Sequence, residues 1–404
     1  MTSVPLLNGD GEVYEHRLTG VPVAAPAPSV SASRVVYAAA HVVPRIAAEN
    51  VPGAPADLDW DATLAFRHHI WSCGLGVADA MDTAQRNMGL DPTAIRELIK
   101  RSAAEAKGVG GSLVVGVNTD DVADEAISLD EVVTAYLNQL EFAEDNGADV
   151  VLMASRHLAR AAHSPRDYER VYGAVLARAT RPVVLHWLGP AFDSQLDGYF
   201  GSSDLVAARR IVRRIIEDNV ESVAGIKISL LDAVSEIALR AEVPDSVRVF
   251  TGDDFNYVDL IAGDGRHHSD ALLGAFATCA PVAAAALAAL GDGDDARYRQ
   301  LLEPTQALSR EVFAAPTSYY KTGVAFLAWL NGYQPAFSMV GGLHSGRSLP
   351  HLSRLVRLAD EARALERPEL AAQRWTDLLH VHGVDTASGA SEATGDTSRV
   401  KRSA

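Results

Sequence analysis

The chain has 404 residues, of which 48% are hydrophobic and 22% are charged, a balance that is typical of a folded globular protein and excludes a disordered one. Its formal net charge of −16 disfavours binding to nucleic acid or to an anionic membrane surface. The two cysteines, Cys73 and Cys279, are too few for a disulfide framework or a four-cysteine zinc site.

The two ends of the sequence lack the periodicity of packed elements. Residues 1–33 include the Pro/Ala/Ser-rich stretch VPVAAPAPSVSAS and predict an extension and linker laid over the surface, and residues 385–404 predict a disordered tail. No secretory signal is visible, and the longest apolar run, residues 275–290, is interrupted by Pro281. We therefore expect a cytoplasmic protein without a membrane span.

Between the ends, short apolar segments alternate with segments of helical periodicity. The apolar segments lack strict alternation, as strands buried on both faces do. Eight strand–helix units over residues 34–293 predict a (β/α)8 barrel. An open doubly wound sheet is the alternative, but its glycine-rich phosphate turn is replaced by AAAHVVPR after Tyr37. The eight predicted strands are 34–38, 76–81, 113–118, 149–153, 182–187, 223–228, 247–252 and 271–276.

Residues 294–384 show helical periodicity only and predict a C-terminal helical region packed on the barrel. Its predicted helices are 294–314, 319–331, 348–364 and 368–381.

In such a barrel, the residues at the carboxyl ends of the strands face the active site. One of them is a lysine, Lys227, within the apolar segment VAGIKIS, although only five of the 36 basic residues are lysines. Burial lowers the pKa of an amine, and a free amine can form an imine with a ketone or an aldehyde. A structural ion pair with a neighbouring aspartate is the alternative. The candidate strand-end residues are Asp79, Asp82, Asn118, Arg156, His157, His186, Lys227, Asp253, Asp254 and Phe276.

Several segments resemble, in the same order, those of the dihydrodipicolinate synthase and N-acetylneuraminate lyase superfamily. GIKIS at 225–229 and TGDDFN at 251–256 resemble its "GIKE" strand and the "GDD" strand that follows, and RPVVLHWLGP at 181–190 resembles its "PVILYNVP" strand. The resemblance covers about residues 34–365 and indicates a divergent branch that carries only a domain-of-unknown-function label. Two further matching segments are GVNTDDVADEAI at 116–127 and NGADVVLM at 146–153.

The resemblance implies a class I lyase or aldolase in which Lys227 forms a Schiff base, without an organic cofactor or a metal. His186 falls on the family's proton-relaying tyrosine, so we expect it to move protons. The turn that grips the keto-acid carboxylate falls on residues 82–86 and keeps only Thr83 in kind, which disfavours pyruvate as the carbonyl partner. The family analogy also implies a homo-oligomer, either a dimer or a tetramer.

The expected substrate is a small keto or sugar-derived carbonyl compound, because acidic strand ends suit hydroxyl groups and arginines suit a carboxylate. The residues expected to bind it are Asp79, Asp82, Thr83, Arg86, Asn118, Arg156, His157, Asp253, Asp254 and Phe276.

Two other functions remain open from the sequence. A divalent-metal-dependent barrel isomerase or class II aldolase would use Asp79, Asp82, His186 and Asp253 as ligands. A non-catalytic binding relative would keep the fold without the activity. Asp253 and Asp254 have a structural alternative as caps of the next helix, and Lys321, which opens an apolar helix, is interpreted as structural.

Overall fold

All eight predicted barrel strands are present in the computed structural model, which describes residues 2–26 and 33–386. Strands β3 to β10 are parallel and close into a barrel in the order β10-β3-β4-β5-β6-β7-β8-β9, so the predicted fold class is confirmed. The strands of the described residues are β1 (Ser3–Leu7), β2 (Val13–Arg17), β3 (Val36–Ala39), β4 (Gly76–Asp79), β5 (Leu113–Val117), β6 (Asp149–Leu152), β7 (Val183–Leu188), β8 (Val223–Ser229), β9 (Arg248–Thr251) and β10 (Asp270–Leu273).

Helices follow the barrel strands and continue as a helical region after the last one. The first turns of several helices are capped by side chains that accept backbone N–H bonds, as at Ser128, where a reciprocal pair with Glu131 begins α3. The helices are α1 (Trp60–Ser72), α2 (Pro92–Val109), α3 (Leu129–Asp145), α4 (Arg156–Ala161), α5 (Pro165–Leu176), α6 (Leu205–Asp218), α7 (Ala233–Arg240), α8 (Tyr257–Ala262), α9 (Ala280–Gly291), α10 (Asp295–Val312), α11 (Tyr320–Leu330), α12 (Leu349–Glu361) and α13 (Pro368–Val381). None of the helices in the described ranges is long and apolar enough to cross a membrane.

The two faces of the barrel strands carry separate apolar clusters. Successive side chains of a strand point to opposite faces, so one set fills the barrel and the other packs against the helices. Ile226 and Ile228 belong to the outer set, as the alternation in VAGIKIS predicts. The inner set consists of small and medium side chains with one aromatic residue, namely Ala39, Ala78, Met81, Val114, Val151, Met153, Val184, Phe250 and Leu272.

Several barrel strands end before their predicted boundaries, and two of these differences affect the site. The predicted strand 76–81 ends at Asp79, because Ala80 adopts a left-handed conformation with φ of 50°. The predicted strand 271–276 ends at Leu273, and a 3₁₀ turn follows over Ala275–Thr278.

The N-terminal extension contains an antiparallel hairpin, β1–β2, that the sequence did not predict. Val4 and Leu6 are completely buried. The Leu7 N–H donates to Ser353 Oγ at 2.7 Å, and the Trp375 indole N–H donates to the Pro5 carbonyl at 2.7 Å. The hairpin is therefore held against α12 and α13. Residues 387–404, most of the predicted tail, lie outside the described residues, as do residues 27–32 of the predicted linker.

Helix α11 brings the C-terminal region to the carboxyl end of the barrel. All eleven of its residues are buried, which explains why its sequence, YKTGVAFLAWL, is apolar nearly all round. Its first residue, Tyr320, reaches the turn after β4, where its hydroxyl lies 2.8 Å from Thr83 Oγ1. The helical region thus forms part of the wall around the barrel mouth.

Candidate active site

Lys227 lies in the middle of β8 and points into the barrel. It pairs in register with His186 on β7 and with Phe250 on β9, and Phe250 belongs to the inner apolar set. Gly252 follows Phe250 by two residues, and a Cβ atom there would lie 2.8 Å from Lys227 Cε. The absence of a side chain at Gly252 therefore creates the space that the lysine stem occupies.

The amine of Lys227 makes no hydrogen bond or ion pair with any of the residues that the structure describes. Burial lowers the pKa of Lys227, although the carboxylates of Asp82 and Asp254 act in the opposite direction. Burial also raises the pKa of Asp254, whose Oδ1 accepts a hydrogen bond from the Ala275 N–H at 2.9 Å. Burial therefore shifts both members of this lysine–carboxyl pair toward their neutral forms.

His186 is completely buried next to Lys227 and pairs with a serine on the neighbouring strand. Its Nε2 lies 3.1 Å from Ser229 Oγ, and its Nδ1 has no hydrogen-bond partner among the described residues. Burial, with the charge of Lys227 as a second cause, lowers the pKa of His186 well below its ordinary value. The imidazole is therefore neutral at pH 7 and offers a ring nitrogen that can accept a proton.

An aromatic wall closes one side of the mouth. Tyr320 stacks on Phe313 with ring centroids 4.4 Å apart, and Phe192 meets both rings edge-on. A Cβ atom at Gly274, just past β10, would lie 2.9 Å from the Phe313 ring and 3.2 Å from the Tyr320 ring. Glycine at this position thus lets rings from the helical region enter the barrel mouth.

Tyr320 is a site residue that the sequence did not reveal. Its buried hydroxyl lies 2.8 Å from Thr83 Oγ1. Burial raises the pKa of Tyr320 well above its ordinary value, and the charges of Asp82 and Asp254 act in the same direction. The phenol therefore stays protonated beside the two carboxyl groups that also face Lys227.

Lys321, interpreted from the sequence as structural, also lies at this mouth. It is buried, and its Nζ donates to the Ser318 carbonyl at 3.1 Å. Burial lowers the pKa of Lys321 to about 8, while Asp82 and Asp193 act against this shift. The small number of lysines in the sequence was the one signal that marked this position.

Asp79 does not face the mouth, and the prediction that it binds substrate or a metal is wrong. Because β4 ends at Asp79 and Ala78 points inward, the Asp79 side chain points outward toward α1 and α2. Its carboxylate accepts two hydrogen bonds from Arg67, at 2.8 and 3.0 Å, and a third from Ser102 Oγ at 2.6 Å. Asp79 therefore holds helices to the barrel.

Arg86 is likewise engaged elsewhere, and the prediction that it binds substrate is wrong. Its guanidinium is completely buried and forms a two-point ion pair with Asp120, at 2.6 and 2.7 Å. It also donates to the carbonyls of Ala80 and Gly116. No donor of Arg86 is directed at the barrel mouth.

Asp253 and Phe276 also have structural contacts. The Asp253 carboxylate accepts bonds from the backbone N–H groups of Phe255 and Asn256, at 2.9 and 3.1 Å, in the turn that precedes α8, so it holds this turn and does not cap the helix itself. The completely buried Phe276 ring packs edge-on against Tyr257 and belongs to the outer apolar cluster. Neither side chain is brought together with Lys227.

Asn118, Arg156 and His157 line a separate polar cleft of about 210 Å³ past the ends of β5 and β6. His157 Nε2 donates to the Asp124 carbonyl at 3.1 Å, so its Nδ1 accepts from Thr119 Oγ1 at 2.8 Å. Both nitrogens of His157 are thus engaged. The cleft is lined by Asn87, Asn118, Thr119, Asp120, Val122, Ala123, Glu125, Ala154, Arg156, His157, Arg160 and Gln195.

Five of the predicted site residues come together at the mouth, namely Asp82, Thr83, His186, Lys227 and Asp254. Over residues 2–26 and 33–386, no group of three or more His, Cys, Asp or Glu side chains could hold a metal ion. The metal-dependent alternative in particular loses Asp79, which is committed to Arg67.

Comparison with known proteins gives a family and a fold. A family model described as "Protein of unknown function (DUF993)" matches residues 4–384. The curated proteins give no match.

Three solved dihydrodipicolinate synthases are similar in structure. The enzyme of Thermotoga maritima is 16% identical, with a TM-score of 0.61 over 82% of this chain and 99% of its own. That of Bacillus anthracis is 16% identical, with a TM-score of 0.59 over 80% and 97%. That of Aquifex aeolicus is 12% identical, with a TM-score of 0.57 over 87% and 98%. At these identities the likeness shows the fold.

Proposed function

The chain belongs to the DUF993 family, and we propose that it is a Schiff-base lyase or aldolase that cleaves or forms a carbon–carbon bond in a small keto or sugar-derived substrate through Lys227. One observation carries the proposal: the Lys227 amine, which has no hydrogen-bond or ion-pair partner among the described residues, lies inside a barrel mouth near a neutral histidine and two carboxyl groups. The fold shared with dihydrodipicolinate synthases supports it as well.

The proposed reaction begins with attack of the neutral Lys227 amine on the carbonyl carbon of the substrate. The carbinolamine that forms takes up a proton and loses water, which leaves a protonated imine that withdraws electrons from the bond between the α and β carbons of the substrate. Cleavage of that bond converts the imine to an enamine, while a base takes the proton of the β-hydroxyl group, which becomes the carbonyl group of the released fragment. The carboxyl groups of Asp82 and Asp254, which face the Lys227 amine, would stabilise the cationic imine.

His186 is the proposed base, acting with Ser229. Its neutral imidazole lies level with Lys227 on the adjacent strand. It also has a hydrogen bond with the hydroxyl group of Ser229, which lies two residues after Lys227 on β8. Thr83 and Asp82 would bind polar groups of the substrate, and Asn118, Arg156 and His157 would contact a longer substrate in the cleft. The proposal needs no organic cofactor and no metal.

Four attributes from the sequence remain proposals alongside the reaction. We expect a homo-oligomer, either a dimer or a tetramer, in the cytoplasm, with a small-molecule carbonyl substrate and no nucleic-acid partner.

Reductive trapping tests the proposed function. The protein is incubated with a panel of keto acids and sugar-derived ketones and reduced with borohydride, and the adducts are located by mass spectrometry. We expect an adduct on Lys227 that survives EDTA and is abolished by Lys227→Ala, whereas Lys100→Arg on the exposed face of α2 leaves it unchanged.

Two outcomes would overturn the proposal. Activity that disappears with EDTA, returns with a divalent ion and persists in Lys227→Ala would establish the metal-dependent alternative. A panel that gives no adduct on Lys227 under any condition would favour the non-catalytic relative.

A further inference from the structure

Lys321 has hydrogen-bonding capacity that the protein leaves unused. Its side chain is 3% exposed, and its ammonium group donates to the Ser318 carbonyl at 3.1 Å. An ammonium group has three N–H donors, and within the described residues no carboxylate forms an ion pair with this one. The Tyr320 ring, whose centroid lies 4.6 Å from Lys321 Nζ, gives the ammonium group a cation–π contact but no counter-charge. A buried cation without a direct counter-ion is costly, so its retention at the barrel mouth indicates a ligand of opposite charge.

The charged groups that face Lys321 are already engaged with others. Asp193 accepts a 2.6 Å ion-pair bond from Arg156, which itself repels Lys321. Asp82 attracts both Lys321 and Lys227. Asp82 is therefore shared between the two lysines, and Asp193 is shared between Lys321 and Arg156.

Imine formation changes this balance. The step depends on the proposed function, in which Lys227 becomes a cationic imine beside Asp82. Asp82 and Asp254 both face that imine, and Asp82 is shared between it and Lys321, so Lys321 has no carboxylate of its own. A negative charge carried by the substrate would supply the counter-charge that Lys321 lacks.

We propose that Lys321, together with Arg156, binds an anionic group of the carbonyl substrate, either a carboxylate or a phosphate. Arg156 lines the polar cleft, and its charge also acts on Lys321. The proposed anionic group therefore lies where the barrel mouth adjoins the cleft. The amide and hydroxyl groups of Asn118 and Thr119 at that cleft suit the hydroxyl groups of a longer substrate. The substrate class is thus an anionic ketone or aldehyde and not a neutral sugar.

The test compares charged and neutral probes of matched structure. Dihydroxyacetone phosphate is compared with dihydroxyacetone for the phosphate arm, and pyruvate with hydroxyacetone for the carboxylate arm. For each probe, the concentration that gives half-maximal borohydride trapping on Lys227 is measured by mass spectrometry. We expect at least one charged probe to be trapped at a concentration about 10-fold lower than its neutral partner.

Lys321→Met, which keeps the length of the side chain without its charge, is expected to reduce this preference to about twofold or less. Lys321→Gln provides a second uncharged variant if the methionine variant does not fold, and Lys100→Met on the surface is the control that keeps the wild-type preference. Equal trapping of charged and neutral partners by the wild type, or an undiminished preference in both Lys321 variants, would overturn the anion site.

A second readout separates this inference from the proposed reaction. The melting temperature of the wild type, Lys227→Ala and a folded Lys321 variant is measured with inorganic phosphate and with malonate, which cannot form an imine. If these anions stabilise the wild type and Lys227→Ala but not the Lys321 variant, the anion site is established. If the carbonyl probes of the trapping experiment then give no adduct on Lys227, the Schiff-base reaction is refuted while the anion site stands. Equal shifts in all three proteins, or no shift in any, would refute the anion site.

Discussion

The carboxylate of Asp79 and the guanidinium of Arg67 form a two-point ion pair that solvent does not reach from either side. The pair lies between β4 and α1, on the helix-facing side of the barrel wall. Because each partner neutralises a charge that would otherwise be buried alone, the pair ties the first helix to the strand wall.

Asp79→Ala should destabilise the fold strongly, because it leaves the Arg67 guanidinium buried without its counter-charge. We expect a loss of about 3–5 kcal/mol in the free energy of unfolding, measured by urea denaturation. Asp57→Ala, which breaks the exposed pair with Arg45, is the control and should change little. A variant that kept its stability but lost activity would return Asp79 to the substrate site.

Gly252→Ala should displace Lys227, because the new methyl group would meet Lys227 Cε, Ser229 Oγ and the Ile228 carbonyl. We expect a cost of about 1–3 kcal/mol in stability and a large loss of borohydride trapping on Lys227. Gly173→Ala in α5 is the matched control, since no atom lies within 4 Å of its added Cβ and alanine favours a helix. Unchanged trapping in Gly252→Ala would mean that the lysine does not occupy this space in solution.

His186→Gln should separate imine formation from proton transfer. Glutamine can keep a hydrogen bond to Ser229 but cannot accept a proton at neutral pH. We expect the Lys227 adduct to persist, while the exchange of the substrate's α-hydrogens with D₂O, followed by NMR, slows by about 10²–10⁴. Exchange at the wild-type rate would make His186 a packing residue.

Tyr320→Phe should slow turnover without preventing imine formation, because it removes the hydroxyl that contacts Thr83 beside the carboxyl groups of the site. We expect a rate loss of about 10²-fold, with a stability loss of about 1 kcal/mol. Tyr298→Phe breaks a comparable buried bond, to the Val258 carbonyl at 2.7 Å, and should lower stability alone. Equal rates in the two variants would remove Tyr320 from the reaction.

Glu236→Gln should flatten the decline of stability at high pH. Burial raises the pKa of Glu236 to about 8, and only its Oε1 accepts a hydrogen bond, from Ser269 Oγ at 2.6 Å. Since the folded pKa exceeds the ordinary value of 4.5, this group's contribution is complete below pH 4.5 and is lost as pH rises toward 8. The slope is about 1.4 kcal/mol per pH unit. Denaturation curves of both proteins between pH 5 and 8 check this, and parallel pH dependences would contradict it.

The sequence was sufficient for the barrel and for the direction in which Lys227 points. Eight apolar segments and their helical spacers carry a periodic signal, and alternation in VAGIKIS separates Lys227 from Ile226 and Ile228. These properties are local, so a sequence pattern can encode them.

The direction of Asp79 depended instead on where one strand stops. A single left-handed residue, Ala80, ends β4 two residues before the predicted boundary. Apolar periodicity does not register such a conformation, and an error in the strand end assigned Asp79 to the wrong face.

Contacts between distant segments were also beyond the sequence. Tyr320 meets Thr83 across 237 residues, and Arg86 meets Asp120 across 34. Tertiary packing decides which residue forms a hydrogen bond with a buried polar group. A resemblance that is confined to short motifs does not identify such a pair of distant residues.

The hairpin β1–β2 has partners that are synthesised last. Leu7 and Ser353 are 346 residues apart, and Pro5 and Trp375 are 370 apart. At about 5–20 residues per second, a ribosome needs roughly 20–70 s to make the intervening chain. For that time β1 lacks its contacts with α12 and α13. Its docking joins the first and last described elements of the chain and becomes possible only after the barrel strands have been synthesised.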